Sequence, residues 1–194
     1  MTMYALIRAL GLVAYGVFSL SLALGLASTS GGGTLRAIDR RAVRQLLHRS
    51  TAVVGLLVLA LHVLLTILDT YIATPLSAVL IPFTSSYDTV ALGIGSIALY
   101  AFVLATVSGA LRLATARMIS ERGWRWLHRS AYAGWSLALL HGILAGPDTR
   151  EPWALFVYAS GVLVVMIGWI VRLRGNSRLW HRDRDGVLGG RGIR

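Results

Sequence analysis

Cysteine is absent from the 194 residues, which excludes disulfides, thiolate zinc sites, iron–sulfur clusters and thioether-attached haem. Any cofactor is therefore held by histidine, carboxylate or backbone. Lysine is absent too: all 19 basic residues are arginine, set against 8 acidic ones for a net charge of +11. Charged residues make up 14% of the chain and hydrophobic ones 56%, with a mean hydropathy of +0.67, whereas a soluble domain carries about a quarter charged. That balance describes an integral membrane protein. The arginines lie between long apolar runs rather than in a basic stripe on a soluble fold, so nucleic acid is not an expected partner.

Apolar runs fall near 4–27, 50–68, 89–111, 128–145 and 153–171, and no stretch alternates as a membrane β-strand does. The expectation is an all-α integral membrane fold of five transmembrane helices, residues 1–174, followed by a flexible basic tail over 175–194. Residues 75–88, with Pro75 and Pro82, are too broken for a span and read as a loop or short interfacial helix; Ser28 to Gly33 reads as a linker. The small residues from Ala23 to Ser28 offer a leader-type cleavage site. The run before them exceeds the roughly 7–15 residues of a leader's apolar core and nearly lacks a basic start, so it is read as a retained helix.

Five arginines lie in 28–49, five in 112–129 and seven in 172–194, leaving only Arg8 and Arg150 elsewhere. With five spans these three segments share one face. The positive-inside rule makes that face cytoplasmic, with the N-terminus outside, the C-terminus in the cytoplasm and the plasma membrane as the expected location. Anionic lipid accounts for the charge.

Of five histidines, four fall in two spans: His48 and His62 on the second, His128 and His141 on the fourth. The two helices run the same way, which sets His48 level with His128 and His62 level with His141. Within one helix the two are about 20 Å apart, too far to share a metal, so two sites are implied. Imidazoles from two facing helices are the ligand set of a six-coordinate haem b in a four-helix bundle core. Gly55, Gly134 and Gly142 offer room beside the ligand helices, while Arg44, Arg49, Arg125 and Arg129 cluster where inner propionates would reach the surface. Zinc is the weaker reading, because two histidines per level leave a site short of four ligands. A third reading has no redox chemistry, with the histidines relaying protons in a transporter or assembly subunit.

One spacing is awkward. The 14-residue step from His48 to His62 returns to within about 40° of one helical face, but the 13-residue step from His128 to His141 misses by about 140°. Either a bulge or kink near Gly134 recovers the rotation, or one of these histidines is not a ligand.

The steps of 14 and then 13, together with Trp126-Leu127-His128-Arg129-Ser130-Ala131-Tyr132, resemble the ferric reductase-like transmembrane domain family, which includes ferric reductases and the membrane half of NADPH oxidases. The resemblance covers roughly residues 3–172. It implies two stacked b haems passing electrons across the bilayer, a distorted fourth helix that tolerates the shorter step, and a role for Arg8 near the outer haem. The family's usual sixth, N-terminal helix and its cytoplasmic flavin and nicotinamide domain have no counterpart in this sequence. A flavoprotein or a quinone is then the expected partner. The implied activity is that of an oxidoreductase membrane subunit, and the reverse task, a quinone-linked oxidase draining an outside donor such as superoxide, stands beside it.

Overall fold

A computed structural model describes residues 3–28, 35–70, 73–112 and 119–189, the side chains of residues 37 and 176–189 excepted. Most of the expected linker, residues 29–33, lies outside these residues. The described residues contain helices and no strand. In chain order the helices are α1 (Met3–Ser28), α2 (Leu35–Leu68), α3 (Leu76–Leu80), α4 (Thr89–Ala110), α5 (Glu121–His128), α6 (Ser130–Ala145) and α7 (Pro152–Gly189), with a 3-10 turn at Pro147–Arg150 before α7.

Four of them are long and apolar enough to cross a bilayer: Met3–Ser28, Ile38–Leu68, Thr89–Ala110 and Pro152–Gly175. The expected fourth span is instead two pieces, α5 and α6, of 8 and 16 residues. They meet at Arg129, whose N–H still donates to the Arg125 carbonyl, while Tyr132 N–H reaches back only three residues to the Arg129 carbonyl at 3.0 Å. Ser130 Oγ donates to the Leu127 and Ala101 carbonyls there, and a side chain that bonds into the helix ladder is a known cause of a helix break. The interruption therefore lies at Arg129 and not near Gly134. Helix α2 starts at Leu35, fifteen residues before the expected span, and α7 continues to Gly189.

Two antiparallel hairpins, α1 with α2 and α4 with α5–α6, face each other, and α7 lies along α1. Small residues permit the closest approaches. A Cβ on Gly168 would come within 2.8 Å of the Ala23 backbone, and one on Gly161 within 2.5 Å of the Tyr15 ring. Close backbone packing of this kind replaces hydrophobic driving force where lipid surrounds the helices. Between the hairpins, Phe18 and Phe102 stack with ring centroids 4.0 Å apart. Trp135 Nε1 donates to Ser19 Oγ at 2.8 Å and its ring stacks on Tyr15. Short α3 lies against α4, tied by the Tyr100 hydroxyl on the Leu80 carbonyl.

Candidate functional site, two histidine pairs

The two hairpins bring the four histidines together as the depth argument predicts. His48 faces His128 with ring centroids 6.2 Å apart, and His62 faces His141 at 6.4 Å, with ring planes crossing at 86° and 76°. Each ring is anchored by the same device. Nδ1 lies 2.8 Å from the Ser21 carbonyl for His48, 2.8 Å from Ile7 for His62, 2.9 Å from Ala105 for His128 and 2.7 Å from Ala91 for His141. A carbonyl only accepts, so Nδ1 carries the proton in all four and Nε2 keeps its lone pair. Metal-ligating imidazoles are oriented in this way, by an outer partner on the other nitrogen.

Four residues beyond each accepting carbonyl stands a glycine that lets the ring come close. A Cβ would meet the His62 ring from Gly11 at 3.2 Å, His48 from Gly25 at 3.2 Å, His141 from Gly95 at 2.8 Å and His128 from Gly109 at 3.1 Å. These four glycines are absent from the sequence expectation. Of the three expected there, Gly55 packs on Phe18, Gly134 on Ala101 and Phe102, and Gly142 on Tyr158. A signal for the missed ones is present in the sequence. The positions that seat the rings on α1 have counterparts 84 residues later in α4: the glycines and phenylalanine recur as Gly11 and Gly95, Phe18 and Phe102, Gly25 and Gly109, and the accepting carbonyls fall at Ile7 and Ala91, Ser21 and Ala105. Phe18 and Phe102 stand midway between their flanking glycines, so an apolar layer separates the two pairs.

Free space borders the His62–His141 pair on both sides. A cavity of about 160 Å³ extends from His62 and His141 toward Arg8, Tyr87, Asp148 and Tyr158, and a second of about 90 Å³ extends from the same two rings toward Ala78, Val79 and Ser96. Tyr87 and α3 thus wall the His62–His141 pair. At the mouth, Arg8 forms an ion pair with Asp148 of the 3-10 turn and lies over the Tyr4 ring.

Beside the His48–His128 pair Arg49 and Arg129 each follow a histidine directly and are both exposed. Three of the four arginines of the expected cluster are engaged with other groups. Arg44 donates to the Ala27 carbonyl at 2.8 Å, Arg125 pairs with Glu121 at 3.0 Å, and Arg129 lies over the Trp126 ring. Among the described residues no group of three or more His, Cys, Asp or Glu gathers at one point, so the histidines stand in twos, short of a structural zinc set.

The chain matches no family model, no curated protein and no solved structure. Its function is therefore argued from these residues.

Proposed function

We propose that the chain is a five-span membrane cytochrome that holds two b haems and carries electrons one at a time across the bilayer, as the membrane subunit of a ferric reductase-like oxidoreductase. The observation that carries this reading is the separation of the histidine pairs. Two imidazoles that hold one metal ion between their Nε2 atoms, with metal–nitrogen distances of about 2.0 Å and about 1.1 Å from each Nε2 to its ring centre, would have centroids about 6.2 Å apart. The observed separations are 6.2 and 6.4 Å. Two further features support a planar macrocycle: space on both sides of the His62–His141 axis, and four glycines that seat the rings against backbone.

In this reading a bound haem supplies an iron that changes oxidation state by one electron without an open coordination position. The chain does the rest. Ile7, Ser21, Ala91 and Ala105 carbonyls fix the four rings in the tautomer that presents Nε2. The Phe18–Phe102 layer keeps water out between the pairs. Arg49 and Arg129 near the His48–His128 pair, and Arg8 near the His62–His141 pair, are the cations that would face haem carboxylates, Arg8 by exchanging its Asp148 partner and Arg129 by leaving the Trp126 ring. Helices α5 and α6 together run antiparallel to α4 from Ala105 to Ala91, which supports their crossing the bilayer as a broken fifth span. The arginine distribution supports an outside N-terminus. A flavoprotein or quinone on one side completes the circuit.

Proton relay is less well supported. All four Nδ1–H groups are spent on backbone carbonyls, and the Phe18–Phe102 stack stands between the pairs. The test is a reduced-minus-oxidised spectrum and a cofactor-to-protein ratio on the purified chain. A b-type spectrum with a ratio of two is expected; a ratio of zero overturns the reading.

A further inference from the structure

The two pairs also differ in how their rings are stacked. Among the described residues only His128 has an aromatic ring laid flat on it: Trp124, one turn earlier on α5, stacks with centroids 5.2 Å apart and planes 12° from parallel. Trp124 is fixed in turn. Its Nε1 donates to the Ser108 carbonyl at 2.7 Å, and the Arg112 guanidinium covers its ring at 4.4 Å from the centroid. The result is a column of cation, indole and imidazole that spans the end of α4 and the start of α5. Residues of α4 therefore hold His128 twice, by Ala105 at the ring edge and through Trp124 at the ring face.

The edge and the face constrain different motions. A hydrogen bond from Nδ1 to a carbonyl locates one atom but leaves the ring free to swing about its length, and a flat partner removes that freedom. We infer that Trp124, braced by Arg112, is a positioning residue that holds the His128 plane across that of His48 and makes the inner site electronically distinct from the outer one. The guanidinium contributes a second effect. A fixed positive charge near an iron disfavours its more oxidised, more positive form, so it raises the midpoint potential of the inner site relative to a neutral side chain.

This inference rests on the two-haem reading, and its test separates the two. Low-spin ferric haem with two imidazoles gives a strongly anisotropic electron paramagnetic resonance signal when the ring planes are near perpendicular, and a rhombic one when they approach parallel. In the full chain the inner signal is identified as the one lost in His48→Ala. Trp124→Leu, which keeps bulk but removes the flat face, is expected to shift that signal toward the rhombic type and leave the outer one in place, whereas Trp124→Phe restores the original signal. Arg112→Gln, at an exposed position, is expected to lower the inner midpoint alone in a redox titration. Arg122→Gln, the same charge change on α5, is expected to move it less. Two intact haems with an unmoved inner signal in Trp124→Leu and an unmoved inner midpoint in Arg112→Gln would overturn the inference while leaving the function standing. A wild-type chain without a b-type spectrum would overturn both.

Discussion

The two hairpins accomplish one task by unequal means. In α1 and α2 the histidines, the glycines and the accepting carbonyls all recur every 14 residues, so two continuous helices keep every ring on the shared seam. In α4 the glycines and carbonyls keep that period, but the histidine step is 13, and the helix that bears it is broken at Arg129. A missing residue in one strand of a paired ladder is thus absorbed by a local break and not by a shift of the ladder. The period belongs to the seam, and the helix yields to it. Three of four ladders fix the fourth, because a ring that missed its carbonyl would leave a polar nitrogen in an apolar interior at a cost of about 1–3 kcal/mol.

The largest expected effect breaks the pairing across the hairpins. His62→Ala and His141→Ala should each abolish the outer haem spectrum and spare the inner, while His48→Ala and His128→Ala do the reverse. Loss of one haem by the combination of His48 with His141 would mean that the hairpins face each other in the opposite sense. The measurement is redox-resolved absorption on each purified variant, where the two sites titrate separately.

Next comes the glycine seat, which sharpens the comparison within one pair. A Cβ at Gly95 would sit 2.8 Å from His141, against 3.2 Å from His62 at Gly11. Overpacking of a tight site costs about 1–3 kcal/mol, so Gly95→Ala should weaken retention of the outer haem about tenfold or more. Gly11→Ala should weaken it several-fold less. Equal losses would show that the broken hairpin is no tighter than the intact one.

The sequence carried some of this plainly and concealed the rest. Matched depth of His48 with His128 and of His62 with His141 follows from antiparallel order and axial rise alone, and both pairs form. The arginines near the inner end were legible as a group, but a group in sequence is not a cluster in space: Arg44 and Arg125 are spent on Ala27 and Glu121. Gly134 looked like the place for a break because glycine is the weakest helix former present there. Its role is to pack against Ala101 and Phe102. The break occurs at an arginine followed by a serine, and its cause, Ser130 reaching Ala101 on another helix, exists only after α4 and α6 have packed. The glycines beneath the rings escaped notice because they stand on the partner helices. A comparison of α1 with α4 at an offset of 84 residues would have found them.

A smaller effect probes the break itself. Ser130 Oγ donates to Ala101 and Leu127 at the junction, while Thr51, near His48 in the unbroken α2, makes only local bonds to Leu47 and His48. Ser130→Ala removes a bond between helices worth about 1 kcal/mol and should lower the thermal midpoint measurably. Thr51→Ala should leave it within error. If the two variants melt alike, the Ser130 bond to α4 does not hold the junction.

The smallest expected effect concerns how the outer end of α4 is held. Asp88 is the N-cap of α4, its carboxylate accepting the Ala91 N–H at 2.9 Å, and Ala91 is the residue whose carbonyl anchors His141. The cap therefore stiffens the turn that positions an imidazole, and the acidic charge of the outer loop is partly committed to that role. Asparagine caps nearly as well as aspartate, whereas alanine costs about 1 kcal/mol. Asp88→Asn should accordingly leave both stability and outer haem retention close to wild type, and Asp88→Ala should lower both slightly, with the inner haem unaffected. The comparison is read from thermal melts and from haem content after dilution. Equal losses in the two variants would instead point to the carboxylate charge acting on His141 from a distance, since only charge is absent from both. A fall in inner haem retention would show that the turn is coupled to the whole of α4 and not to the pair beside it.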